Sequence, residues 1–128
     1  MSGLSAREEG TLFYYPLLQS GARQILQARP SQIIEKERAY HLVYDPHVLV
    51  IASYFHPGAK DNTIYILTVY RKSGGHNLRF LRRRSSEDCG NRDAAAILKG
   101  LYENAKRKVE GAKRTRVRKL EGALAAAE

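Results

Sequence analysis

Apolar and polar positions along this chain change period twice, and the changes divide it. From Pro16 onward, Leu17, Leu18, Ala22, Ile25 and Leu26 recur on one face of a 3.6-residue period, which predicts a helix over residues 16–28 with Pro in its first turn. Arg29-Pro30 closes it, because a residue before Pro is pushed out of the α region. Gly21 weakens the helix by about 1 kcal/mol relative to Ala, and a strand over Thr11 to Tyr15 competes with its start. Ser31 to Glu37 fits a short helix or a strand equally well. The period then drops to two. Tyr40, Leu42 and Tyr44 alternate with His41 and Val43, Asp45-Pro46 makes a turn, and Val48 to Phe55 is a β-branched and aromatic run, so the pair reads as a hairpin. After a polar loop at residues 56–62, Thr63 to Tyr70 forms another strand, and Ser73-Gly74-Gly75 turns the chain into a last strand over Asn77 to Arg84. With Leu78 and Phe80 buried, Arg79 and Arg83 would point outward.

The 3.6 period returns at the C-terminal side. Asn91 is a candidate N-cap, and Ala94, Ile97, Leu98, Leu101, Tyr102, Ala105 and Val109 form one continuous face. Beyond Val109 the apolar pattern thins to Ala112, Val117, Leu120 and Leu124, and Gly111 interrupts it. The expected fold class is α+β: an N-terminal helix, an antiparallel sheet of three to four strands and a long basic C-terminal helix. The expected organisation is a lead-in over residues 1–10, one domain over 11–109 and a basic helical extension over 110–128.

Length and composition change this picture little. At 128 residues and 43% apolar the chain is long enough for one domain with a core of its own. Cys89 is the single cysteine, so no internal disulfide can form; together with an N-terminus unlike a signal peptide, this points to a reducing compartment. The expected location is the cytoplasm, or the nucleus or nucleolus if the bipartite basic pattern acts as an import signal.

Charge changes it more. Residues 1–70 carry six Lys/Arg and six Asp/Glu, and residues 71–128 carry sixteen and seven, so the whole formal charge of +9 belongs to the second part. Such asymmetry points to a polyanionic partner, foremost nucleic acid. Two stretches carry it. The last strand supplies Arg79 and Arg82-Arg83-Arg84, with Arg71 and Lys72 just before the turn. The final helix supplies Lys106, Arg107, Lys108, Lys113, Arg114, Arg116, Arg118 and Lys119. Arg suits phosphate through its planar donor fork, and the few Glu on the helix offer only scattered i, i+4 partners. The ordinary reading of these stretches is a solvated helix face and a charged edge strand that resists aggregation.

Other chemistry is sparse. His41, His47, His56 and His76 lack the spacing of a zinc site, and Cys89 has no positioned base. Without paired carboxylates or a phosphate-cradling Gly loop, the chain reads as non-enzymatic, with no cofactor and no metal. Tyr44, Tyr54, Tyr65, Tyr70 and Phe80 alternate with aliphatics and read as core and rim packing, so backbone contacts are expected in preference to base readout. Arg83-Arg84-Ser85-Ser86 fits a basophilic kinase pattern, which makes Ser85 a candidate phosphorylation site.

Residues 63–119, with YILTVYRK, a Gly turn, LRFLRRRSS and the amphipathic ILKGLYENAKRK, resemble the Alu-domain RNA-binding proteins of the signal recognition particle. That resemblance implies an α-β-β-β-α fold, a ribonucleoprotein role and RNA contacts by the sheet through Arg71, Lys72, Arg79, Arg82, Arg83 and Arg84. RNA is thus the expected partner, and an exposed edge strand leaves room for a protein that completes the sheet. An alternative is a pleckstrin-homology-like barrel with strands at 11–15, 23–27 and 31–36, which would bind phosphoinositide or protein; only that reading brings the chain to a membrane. A third is a structural subunit of a ribosomal or viral assembly.

Overall fold

The computed structural model describes residues 16–87 and 92–127. Helix α1 spans Pro16–Gln27, and short 3-10 turns span Pro30–Gln32 and, between the third and fourth strands, Lys60–Asn62. Five strands follow: β1 (Ile33–Lys36), β2 (Ala39–Tyr44), β3 (His47–Phe55), β4 (Thr63–Lys72) and β5 (Leu78–Ser85). Helix α2 then runs from Arg92 to Ala127. The strands form one antiparallel sheet in chain order, β1-β2-β3-β4-β5. The fold is α+β, as the change of period predicts. The segment left open at residues 31–37 resolves into the first 3-10 turn and β1, which brings the sheet to five strands. A helix over Pro16–Gln27 overturns the barrel alternative, which needs a strand at 23–27; its strand at 11–15, like the competing strand over Thr11 to Tyr15, lies outside the described residues.

Both helices lie on the same face of the sheet. Leu18, Ala22 and Ile25 of α1 and Leu98, Leu101, Ala105 and Val109 of α2 bury themselves against Tyr40, Leu42, Leu49, Ile51, Leu67 and Val69. Burying a side chain of the Leu or Ile class contributes about 1.5–3 kcal/mol, so these few positions hold the layers together. Gly21 has a packing reason that its helix propensity hides. A Cβ there would come within 3.3 Å of Leu49 Cδ2 and 3.4 Å of Val69 Cγ2, so glycine lets α1 approach the sheet closely.

Helix α1 packs over β4 and β5, whereas α2 crosses from β4 toward β1. Tyr102 of α2 meets Tyr40 and Tyr65 with ring centroids 5.3 and 5.4 Å apart, and burial, chiefly, pushes the Tyr40 phenol up to about 12. Two of the hairpin loops are short. Only Asp45 and Pro46 separate β2 from β3, and Gly74 and Gly75 adopt φ of 100° and 57° between β4 and β5, where glycine carries no Cβ penalty.

Candidate nucleic-acid interface

Strand β5 contains a bulge that decides where its arginines point. Tyr70 pairs with Phe80 while Val69 pairs with Arg82, so Leu81 is an extra residue against β4. A bulge of this kind shifts the alternation by one position. Opposite residues in an antiparallel ladder share a face. Arg82 therefore lies on the helix side with Val69, and Arg84 with Leu67. Arg83 lies opposite Thr68 on the other face, and Phe80 opposite Tyr70, also on that face.

This reverses one expectation from the sequence. Leu78 and Phe80 are exposed by 47% and 56%, on the face away from the helices, and Arg79 shares the helix side with Arg71. The helices cover the other face, so the alternation could be read correctly but assigned to the wrong side. Arg83 does point outward as expected. Arg84 is half-buried, and its Nε finds no hydrogen-bond partner, which makes it the arginine turned toward the interior.

Arg71 and Arg79 stand directly opposite each other on β4 and β5, and both are exposed. Like charges in that position are destabilising, and an anion between them relieves the repulsion. Neither takes part in the ion pairs found among the described residues: His56 with Glu87 at 2.7 Å, Lys72 with Asp45 at 3.0 Å, Lys99 with Asp61 at 3.9 Å and Lys113 with Glu35 at 2.7 Å. Lys72 and Lys113, both candidates from the charge pattern, are thus held by carboxylates.

Lys108 has a different job from its neighbours. Its Nζ donates to the carbonyl oxygens of Leu26 and Ala28 at 2.8 Å each and of Ile25 at 3.3 Å. These are carbonyls at the C-terminal end of α1, which intrahelical bonds leave unsatisfied. Lys108 caps α1 from α2, and burial pushes its pKa below the ordinary lysine value. Its place on the basic helix concealed this, because the partner carbonyls are some eighty residues away in sequence.

Gly111 does not break α2, which stays helical to Ala127. Lys106 and Arg107 are exposed, as is every residue from Lys113 to Ala126, including Arg114, Arg116, Arg118 and Lys119. Val117, Leu120 and Leu124 are also exposed there, in line with the loss of core contact expected after Val109. The two basic stretches are far apart. The Lys113–Glu35 pair ties the start of the free end of α2 to β1, and β5 is the opposite edge of the sheet, four strand spacings or roughly 19 Å away.

Ser85 is 5% exposed, and its Oγ accepts a hydrogen bond from the Glu87 amide at 3.2 Å; the Ser86 Oγ accepts one from the Tyr65 amide at 2.9 Å. The folded chain does not present Ser85 to a kinase. Cys89 and the Asn91 cap lie outside the described residues.

The face away from the helices was the feature least visible beforehand. One cross-strand row on it is Val43, Val48, Tyr70 and Phe80, and the last two rings meet edge to face with centroids 6.3 Å apart. Tyr65 packs on the core as expected, but Tyr44 and Tyr54 are about half exposed. No protein-family model, curated protein or solved structure matches this chain.

Proposed function

We propose that this chain is a non-enzymatic RNA-binding subunit of a ribonucleoprotein particle, holding phosphate at the β4–β5 edge of its sheet and at the free end of α2. The observation that carries this reading is the exposed Arg71–Arg79 pair, two cations placed opposite each other without a carboxylate between them. A phosphate bridging two guanidinium forks turns that repulsion into two charge-assisted contacts. The exposed cations of α2 extend the same chemistry along a helix with no core contact of its own. The order of helix, antiparallel sheet and long basic helix supports a particle of the signal recognition type, although the sheet has five strands where the α-β-β-β-α pattern has three.

Titration of a structured RNA at two salt concentrations tests the reading. Affinity should fall with salt, log K dropping by about 0.7–0.9 per log unit of salt for each phosphate neutralised. The double variant Arg71→Ala/Arg79→Ala should bind more weakly and melt no lower than the parent, because relieving a like-charge pair stabilises by a few tenths of a kcal/mol to about 1 kcal/mol. Affinity indifferent to salt, or to this double variant, rejects the site.

A further inference from the structure

We propose that the face of the sheet away from the helices is a stacking platform for unpaired nucleotides, centred on Tyr70 and Phe80. This rests on the RNA-binding reading above and adds to it the kind of RNA: single-stranded where it meets the sheet.

Three observations converge. The first is shape and exposure. Phe80 is more than half exposed beside the half-buried Tyr70, and Leu78, Val43 and Ile34 lie exposed on the same face. The half-buried Tyr70 supports the Phe80 ring through their edge-to-face contact, so a base stacked on the Phe80 face has less side-chain motion to order.

The second is charge. Pairing places Lys36, Lys72 and Arg83 on this face, and the strands contribute no Asp or Glu to it; Asp45 of the β2–β3 turn pairs with Lys72 at 3.0 Å, which leaves Lys36 and Arg83 as its other exposed cations among the described residues. An apolar patch with two exposed cations and no strand carboxylate suits a ligand with flat apolar surfaces on an anionic chain. A nucleotide strand has that chemistry.

The third is spacing. Arg83 follows Phe80 by three positions on β5, but the bulge leaves their β4 partners Thr68 and Tyr70 only two apart, roughly 7 Å along the strand, so Arg83 lies on the same face, within reach of the phosphates flanking a base stacked on Phe80. The bulge at Leu81 is what brings both residues to this side. A duplex cannot use such a platform, because its bases are stacked on one another and its major groove is too deep and narrow for side chains to read. Unpaired bases offer their π faces to aromatic rings regardless of sequence.

The test uses the full chain, which contains no tryptophan. Phe80→Trp introduces a single indole at an exposed position. A short uridine oligomer should change its emission on binding, whereas a blunt RNA duplex of equal length should not. Phe80→Ala should raise the Kd for the oligomer roughly tenfold and leave the Kd for the duplex unchanged, and Phe80→Tyr should keep most of the affinity. Thermal melts of each variant establish that it is folded. If the oligomer binds by anisotropy without moving the indole, or Phe80→Ala weakens neither RNA, the platform is wrong while phosphate binding stands. If neither RNA binds at all, both readings fail. An indole already buried in RNA-free protein that sediments as a dimer assigns the face to a second copy and overturns the proposal.

Discussion

At the scale of single residues, local sequence context misleads most where a side chain serves a distant backbone. Lys108 sits in a run of cations and was a natural candidate for phosphate, yet its three hydrogen bonds close the end of α1. Lys108→Met keeps the aliphatic stem and removes the donors, leaving those carbonyls without their cap. The expected cost is about 1.5–3 kcal/mol in a urea melt, with RNA affinity per folded molecule unchanged. His41 gives a second residue-scale expectation. Burial, and then the nearby Lys36, hold its pKa below the ordinary value. Between the folded pKa and the unfolded value near 6.5 the unfolded chain binds more protons, so stability rises with pH there. The contribution is complete above about pH 6.5 and is lost as pH falls toward the folded pKa. His41→Gln should flatten that acid limb when stability is measured across pH 5–7.5; an unchanged limb assigns the acid sensitivity to other groups.

Elements succeed or fail as units. Strand β5 lies along the chain where the period places it, whereas Leu78, Arg79 and Phe80 face opposite to expectation and Arg83 faces as expected. Two opposite assignments satisfy a period of two, and only the position of the helices chooses between them. The bulge adds a further shift that no residue in LRFLRRRS announces. Helix α2 is the converse case. Its apolar stripe ends in core contacts at Val109, and the exposed remainder behaves as a projection of about 20 Å, fourteen residues from Lys113 to Ala126 at 1.5 Å each. Ending the chain at Arg116 preserves Val109 and the Lys113–Glu35 pair. Stability should change by no more than about 0.5 kcal/mol, and the salt slope of RNA binding should drop because Arg118 and Lys119 are gone. A fall of several degrees in melting temperature would mean that Val117, Leu120 and Leu124 pack against something within the molecule.

For the whole molecule, the arrangement of layers separates the two basic regions that sequence places in one half of the chain. One lies at the β4–β5 edge and the other leaves from the β1 side, so no single phosphate can touch both. Their contributions should therefore add. Combining Arg71→Ala/Arg79→Ala with the Arg116 truncation should give a loss of binding free energy equal to the two separate losses within about 0.5 kcal/mol. Strong coupling between them would indicate an RNA rigid enough to engage both ends only together.

Sequence alone determined the period changes, and through them the two helices, four of the five strands, the Gly-Gly turn and the charge asymmetry, because those depend on neighbours within a few residues. Tertiary structure decided the rest. It assigned Leu78 and Phe80 to the face away from the helices because both helices chose the other one, and it gave Gly21 its reason through the approach to Leu49 and Val69. It removed Lys108 from the candidate surface and set Arg71 against Arg79, since a capping bond across eighty residues and a cross-strand register exist only once the layers are assembled.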